Sequence, residues 1–153
     1  MAKTSSMPAS RKKILSKELI KGVKKAVRFS YAPYSKISVA AGIYCASGKM
    51  YTGVNIENSS YSLTICAERT ALFKAISEGE RKFLLLLVYS PQIDFIIPCG
   101  ACLQVLNEFA SDLMVVSMNK NEELKFYPIK TLITKPFKIP KKNHESSRFI
   151  KGL

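Results

Sequence analysis

The chain has 153 residues and a hydrophobic fraction of 47%, enough for one domain with a buried core, which we expect to span residues 1–153. No apolar run approaches the roughly 18 residues of a membrane-spanning helix, so we expect no membrane segment. The formal net charge of +13 raises the question of a nucleic-acid partner. However, residues 1–28 carry +8, residues 130–153 carry +6 and residues 29–129 carry −1. This distribution indicates basic tails that aid solubility or attract polyanions weakly, and we expect no nucleic-acid partner.

Cysteine usage and the N-terminal composition indicate the compartment. Four cysteines are too few for a disulfide-stabilised scaffold. The basic N-terminus lacks the apolar segment of a secretory signal, although its serines and lysines leave an organelle transit peptide open. We therefore expect a cytoplasmic protein, in which a Cys-x-x-Cys motif indicates a metal or redox site.

Hydrophobic periodicity and turn residues predict the elements in chain order. Residues 1–12 read as a disordered basic lead-in, and residues from 138 to 153 as a basic polar tail. Helices are predicted at 13–29, 66–77 and 100–109, with a last helical turn at 129–134; strands are predicted at 38–45, 50–54, 82–89, 112–118 and 124–127.

This order predicts an α/β protein, a three-layer αβα sandwich around a central mixed sheet of about five strands. The apolar run from Phe83 to Tyr89 is typical of a strand buried on both faces. Only five residues, Asn119–Glu123, join the last two strands. A parallel pair needs a crossover of about a dozen residues, so these two strands are predicted to be antiparallel if they are neighbours.

Two cysteine motifs carry the chemistry. Cys66 begins a predicted helix with Glu68 two residues on, and Pro98-Cys99-Gly-Ala-Cys102 begins another. A Cys or His, then x-Glu, followed downstream by Pro-Cys-x-x-Cys, is the pattern of zinc deaminases. Three thiolates can hold Zn²⁺ and leave a fourth position for water, and a nearby carboxylate can move protons.

Other interpretations of these cysteines remain open on the residues alone. Cys99 and Cys102 could form a redox couple. The cysteines could also form a structural zinc site with Cys45 or His144 as a fourth ligand, although Cys45 is expected in the core and His144 in a solvated tail.

Longer stretches make the chain resemble the small, homotetrameric type of cytidine deaminase. The resemblance runs from about Leu15 to Phe137. The stretches that carry it are Tyr31-Ala-Pro-Tyr-Ser-Lys36, Gly53-Val-Asn-Ile-Glu-Asn58, Tyr61-Ser-Leu-Thr-Ile-Cys-Ala-Glu-Arg-Thr-Ala-Leu-Phe-Lys-Ala75, and Pro98-Cys-Gly-Ala-Cys102 with Gln104-Val105. The resemblance implies a cytidine deaminase-like fold, one zinc ion per subunit, a nucleoside substrate and a homotetramer.

The resemblance also assigns roles to single positions. It makes Cys66, Cys99 and Cys102 the zinc ligands, and Glu68 the catalytic acid and base. Asn55 and Glu57 match residues that hold the ribose 3′-hydroxyl, and Ala67 matches another substrate-binding position. Arg69 matches an arginine that offsets the charge of the thiolates; Tyr61 and Phe137 match residues that reach a neighbouring subunit's site. On the residues alone, Asn55 and Glu57 could cap a turn, Arg69 could lie on the surface, and the two aromatic residues could belong to the core.

Three positions depart from the family pattern. Ile37 replaces a phenylalanine that packs on the pyrimidine, which removes aromatic stacking but keeps an apolar wall. Leu103 replaces an arginine beside the zinc ligands, and the segment Val39-Ala-Ala-Gly42 exchanges the positions of glycine and alanine. Because the ligands and Glu68 are intact, we expect altered affinity or pH dependence rather than loss of activity.

The sequence therefore predicts hydrolytic deamination of cytidine and 2′-deoxycytidine in pyrimidine salvage. Three alternatives stay open: deamination within a polynucleotide, deamination of a cytosine-containing antibiotic nucleoside of the blasticidin type, and a non-catalytic zinc-folded module that binds nucleic acid. The cysteine at position 66, the short joint between the last strands and the Asn55–Asn58 stretch favour the nucleoside enzyme.

Overall fold

A mixed five-stranded sheet forms the centre of the computed structural model, which describes residues 15–139. The strands are β1 (Ala40–Cys45), β2 (Met50–Val54), β3 (Phe83–Tyr89), β4 (Met114–Met118) and β5 (Leu124–Pro128). The helices are α1 (Lys17–Ala26), α2 (Ala67–Ser77), α3 (Gly100–Phe109) and α4 (Ile129–Leu132), with 3₁₀ turns at Val27–Phe29 and Tyr61–Leu63. The predicted lead-in at 1–12 and nearly all of the predicted C-terminal tail lie outside the described residues.

The strand order in the sheet is β2-β1-β3-β4-β5. The β3–β4 pair is parallel, with α3 in its crossover, and the other three pairs are antiparallel. In the last pair, Val116 lies opposite Phe126. The predicted mixed sheet and the predicted antiparallel arrangement of its last two strands are confirmed.

Both faces of the sheet are covered by helices, because the strands carry apolar side chains on both sides. In β3, Leu86 and Val88 pack with residues of α2 and α3, whereas Leu85 and Leu87 pack with Leu19 and Val23 of α1. Alternate residues of a strand point to opposite faces, so this central strand must be apolar throughout. The three-layer αβα arrangement is confirmed.

Helix α1 is shorter than the sequence predicts. It begins after Ser16, whose hydroxyl accepts a hydrogen bond from the amide of Leu19 at 3.1 Å, and it tightens into a 3₁₀ turn after Ala26. The first two residues of the predicted helix lie outside the described part of the chain. Among residues 15–139, none of the helices combines the length and the hydrophobicity needed to cross a bilayer.

Glycine at position 53 allows α2 to lie directly on the edge strand β2. A Cβ built on Gly53 would lie 2.7 Å from the carbonyl oxygen of Ala67 and closer still to the amide nitrogen of Ala71. Both atoms belong to the backbone of α2, so no side-chain rotation could relieve the overlap. This contact sets the distance between α2 and the sheet, and the N-terminal end of α2 carries the residues of the candidate site.

Candidate active site

Three cysteine thiols meet where α2 and α3 begin. Cys66 is the N-terminal cap of α2, Cys99 is the N-terminal cap of α3, and Cys102 lies in the first turn of α3. Their sulfur atoms all lie within 4.8 Å of one another, and the sulfurs of Cys66 and Cys99 are 4.0 Å apart. The free amides at the two helix starts favour the thiolate form of side chains placed there.

The donor set fits zinc. Two sulfurs bound to one tetrahedral zinc at about 2.3 Å each would be about 3.8 Å apart, close to the separation of Cys66 and Cys99. Within residues 15–139 the cluster contains three metal-binding side chains, which leaves one tetrahedral position for water or substrate. Such an open site is typical of catalytic zinc, whereas structural zinc is enclosed by four ligands.

Cys45, one of the two candidates for a fourth structural ligand, is not part of this cluster. Cys45 lies in β1, fully buried in the apolar core, where burial raises the pKa of its thiol to about 11. A thiol that stays protonated at neutral pH is a poor metal ligand. The interpretation of Cys45 as a ligand is therefore wrong. His144 lies outside the described residues.

Arg69 stands beside the thiols. Its Nη2 atom lies 3.6 Å from the sulfur of Cys66 and donates to the carbonyl oxygen of Thr64 at 3.3 Å. The Nε atom is buried and has no hydrogen-bond partner among residues 15–139. A hydrogen bond from the thiol of Cys102, together with Arg69, lowers the pKa of Cys66 to about 5. A guanidinium in this position can form a charge-assisted hydrogen bond with a thiolate, and Arg69 is half-buried.

Glu68 lies between the cysteine cluster and a cavity. It is in the first turn of α2 and is 4% exposed. Burial raises the pKa of its carboxyl group to about 7, because the charged form loses its hydration. A carboxyl group that titrates near neutrality can both accept and release a proton there.

The cavity beside Glu68 has a volume of about 270 Å³ and is mostly apolar. Ile37 and Ala67, both predicted to contact substrate, line it together with Cys66, Cys99 and Glu68. One wall of the cavity, which was not predicted, consists of Ile93, Ile96 and Ile97 from the loop before α3. Three isoleucines in seven residues directly before the Pro-Cys-x-x-Cys motif were the signal that could have identified this wall.

Asn55 lines the same cavity, and its side chain forms three hydrogen bonds within the protein. Its Oδ1 atom accepts hydrogen bonds from the amide of Val39, at 2.9 Å, and from the hydroxyl of Ser30. Its Nδ2 atom donates to the carbonyl oxygen of Ile37 at 2.8 Å. Asn55 therefore holds the segment that carries Ile37. Within residues 15–139 its Nδ2 atom donates one of its two N–H groups, which leaves the other available for a ligand.

Glu57 holds the neighbouring loop. Its carboxylate accepts hydrogen bonds from the amides of Tyr34 and Ser35, at 2.9 and 3.2 Å, and from the hydroxyl of Ser35. These bonds lower the pKa of the Glu57 carboxyl group, and the bond from the Ser35 hydroxyl has the largest effect. Glu57, Ser35 and Thr64 also line a second cavity of about 370 Å³, so these three residues are common to the walls of both cavities.

Comparison with known proteins decides the family. Residues 14–118 match the family described as "Cytidine and deoxycytidylate deaminase zinc-binding region". The chain belongs to this family. The cysteine cluster lies within the matched zinc-binding region, and its geometry fits the metal for which this deaminase family is named.

Individual relatives are similar over most of the chain. A cytidine deaminase of Sporosarcina psychrophila is 50% identical over 99 residues, which cover 65% of this chain and 73% of that one. A cytidine deaminase of Mycoplasma genitalium is 34% identical over 122 residues, or 78% and 93% of the two chains. The crystal structure of cytidine deaminase from Burkholderia pseudomallei is 36% identical, covers 86% of this chain and 100% of that one, and superimposes with a TM-score of 0.74.

In this zinc deaminase, Tyr61 and Phe137 lie on the surface. Tyr61 is 74% exposed and forms an edge-to-face contact with Tyr34 at the mouth of the second cavity, with ring centroids 5.7 Å apart. Phe137 is 72% exposed and lies beside α3, away from the cavity that Glu68 lines. The alternative that either residue belongs to the core is wrong.

Leu103 follows Cys102 but belongs to the apolar core. It is 6% exposed and packs in the cluster that includes Leu106 and Leu113. It does not line the cavity. The replacement of an arginine by leucine at this position therefore removes a charge and adds a core side chain. Within residues 15–139, Arg69 is the cation that contacts the cysteine cluster.

Proposed function

We propose that this protein catalyses the hydrolytic deamination of cytidine and 2′-deoxycytidine to uridine and 2′-deoxyuridine. The observation that carries the proposal is the position of Glu68, buried at the wall of a nucleoside-sized apolar cavity and two residues from a three-cysteine cluster. The membership in the zinc deaminase family and the similarity to cytidine deaminases support it.

Cys66, Cys99 and Cys102 are the proposed ligands of one zinc ion per subunit. A bound zinc ion supplies a Lewis acid that activates water near neutral pH. Arg69 stabilises the three thiolates by a charge-assisted hydrogen bond to Cys66, which lies 3.6 Å away.

Glu68 is the proposed proton carrier. Its carboxylate accepts a proton from the attacking water, whose oxygen adds to C4 of the pyrimidine ring. It then delivers a proton to N3 and assists protonation of the departing amino group, which leaves as ammonia. Burial keeps bulk water from competing for these protons.

The residues that line the cavity hold the substrate. Ile37 and the isoleucine wall enclose the base, and Ala67 contacts it from the start of α2. The free N–H of Asn55 and a remaining lone pair of Glu57 bind the 3′-hydroxyl, which can both donate and accept. A nucleoside without that hydroxyl leaves both groups unpaired, which costs affinity.

We further propose that residues 1–153 form a single domain, and that four copies of the chain assemble into a cytoplasmic homotetramer that acts in pyrimidine salvage. The exposed rings of Tyr61 and Phe137 support cross-subunit contact, because an aromatic ring gains free energy by leaving water. In that assembly both rings complete the site of a neighbouring copy.

The experiment is an absorbance assay of zinc-loaded protein with cytidine, 2′-deoxycytidine and a cytosine-containing oligonucleotide. We expect turnover of both nucleosides and none of the oligonucleotide. The matched variant Glu68→Gln keeps the side-chain shape, so it should retain zinc and lose turnover by a factor of about 10² or more, the typical contribution of general acid–base catalysis. A zinc-loaded wild-type protein that leaves both nucleosides unchanged would refute the proposal. If that protein deaminates a blasticidin-type nucleoside supplied in a parallel reaction, the antibiotic deaminase is favoured instead.

A further inference from the structure

A reciprocal pair of hydrogen bonds joins Gln104 to the backbone of Phe137. The Nε2 atom of Gln104 donates to the carbonyl oxygen of Phe137 at 3.0 Å, and the amide of Phe137 donates to Oε1 of Gln104 at 2.8 Å. A side-chain amide thus pairs with both polar groups of one residue, as a neighbouring strand would. Both distances are those of well-formed hydrogen bonds.

These two bonds hold an otherwise irregular segment. Residues 133–139 follow α4 and form no helix or strand. Among the bonds within residues 15–139, those to Gln104 are the ones that fix residues 134–139. A segment with so few bonds is expected to open easily, so removal of Gln104 should free the position of Phe137.

Gln104 belongs to the helix of the metal site. It lies in α3, two residues after Cys102. Gln104 therefore fixes the backbone of Phe137 to α3, the helix that carries Cys99 and Cys102. The backbone of Phe137 is fixed in this way, yet its ring is 72% exposed. A fixed backbone under an exposed aromatic ring reduces the entropy lost when that ring docks against a partner.

We infer that Gln104 is a positioning residue, which holds Phe137 for insertion into the active site of a second copy of this chain. The inference rests on the proposed function, in which Phe137 completes a neighbour's site. Gln104 itself does not line the cavity beside Glu68, so it acts through Phe137 and not on the substrate.

The test compares Gln104→Leu, Gln104→Glu and the control Glu108→Gln, an exposed residue one turn further along α3. Leucine removes both bonds, whereas glutamate still accepts from the amide of Phe137 and loses only the donor. The readouts are hydrogen–deuterium exchange at the Phe137 amide, KM and kcat for cytidine, and zinc content.

In Gln104→Leu we expect exchange at the Phe137 amide to accelerate and KM to rise, each about tenfold or more, with zinc content and kcat unchanged, because two neutral hydrogen bonds are lost. Gln104→Glu should keep the amide protected and give a smaller rise in KM. Phe137→Ala should raise KM similarly, and its combination with Gln104→Leu should add nothing further, because both act through one contact. Glu108→Gln should match the wild type.

Unchanged exchange in Gln104→Leu would overturn the inference. Faster exchange with an unchanged KM would also overturn the inference. In both cases the proposed function stands if the wild type deaminates cytidine. If Gln104→Leu does not fold, Gln104→Glu decides, and a KM equal to that of the wild type contradicts the inference. If the wild type does not deaminate cytidine, the proposed function fails and the role toward a second copy fails with it, although the exchange data still show whether Gln104 fixes Phe137.

Discussion

Substitution of Gly53 by alanine tests the contact that positions α2. The new Cβ would lie 2.7 Å from the Ala67 carbonyl oxygen, whereas ordinary van der Waals contacts of a Cβ begin at 3.4 Å, so α2 must move by at least about 0.7 Å. Overpacking typically costs 1–3 kcal/mol, and we expect about 3 kcal/mol here because both opposing atoms are backbone. For a chain of this length, that corresponds to a fall in Tm of roughly 6–12 °C.

The assay is thermal unfolding of the zinc-loaded protein, with Gly22→Ala as the control. A Cβ on Gly22, in the middle of α1, would lie 3.6 Å from Cγ2 of Thr52, an ordinary contact. Alanine is the better helix former by up to about 1 kcal/mol, so this control should be neutral or stabilising. Zinc affinity should fall in Gly53→Ala, because Cys66 moves with α2. A Tm of Gly53→Ala equal to that of the wild type would refute the close backbone contact.

Three further predictions concern the site and its surroundings. Chelation of zinc should lower Tm by several degrees, since a ligand at 100 times its Kd stabilises by about 2.7 kcal/mol. The Tm of Cys99→Ser should no longer respond to the chelator. A wild type whose Tm does not change with zinc would contradict the cluster's role. Asn55→Ala should lower stability by about 1–3 kcal/mol and raise KM, because it leaves the Ile37 carbonyl and the Val39 amide unpaired. The control Asn121→Ala, in the exposed joint between β4 and β5, should change neither in a denaturation and kinetic comparison, because Asn121 bonds there through its backbone amide. Leu103→Ala should lower the free energy of unfolding by about 2–5 kcal/mol in a denaturant titration, with zinc content unchanged. Leu103→Met should lower it by less than about 1.5 kcal/mol. Zinc loss without loss of stability would mean that Leu103 acts on the metal.

Much of the fold could be predicted because local pattern and tertiary structure agree. The helix Gly100–Phe109 and the strand Met50–Val54 have the predicted bounds, since a proline, a turn and clear periodicity mark their ends. The five-residue joint between β4 and β5 determines their relative direction. The sheet order could not be predicted, because the pairing of β1 with β3 depends on contacts between residues far apart in the chain.

The candidate site divides in the same way. The cysteines and Glu68 could be predicted because metal chemistry restricts residue type and spacing. The isoleucine wall before Pro98 has no periodic signal, and only its cluster of isoleucines before the cysteine motif could have indicated it. The bonds from Gln104 to Phe137 could not be predicted, because they join a helix to an irregular segment far along the chain. Leu103 was misleading for a different reason: a position next to a ligand in sequence can face the core, since successive residues on a helix point about 100° apart.

The central claim is that a three-cysteine zinc site and Glu68 replace the amino group of cytidine with an oxygen atom from water. The most direct measurement is the reaction of zinc-loaded protein with cytidine in water enriched in heavy oxygen, followed by mass spectrometry of the product and assay of ammonia. We predict uridine that carries one solvent oxygen in its base, one ammonia released per uridine, and formation of both products slowed by a factor of about 10² or more in Glu68→Gln. Cytidine recovered unchanged, or uridine formed at the wild-type rate by Glu68→Gln, would contradict the account.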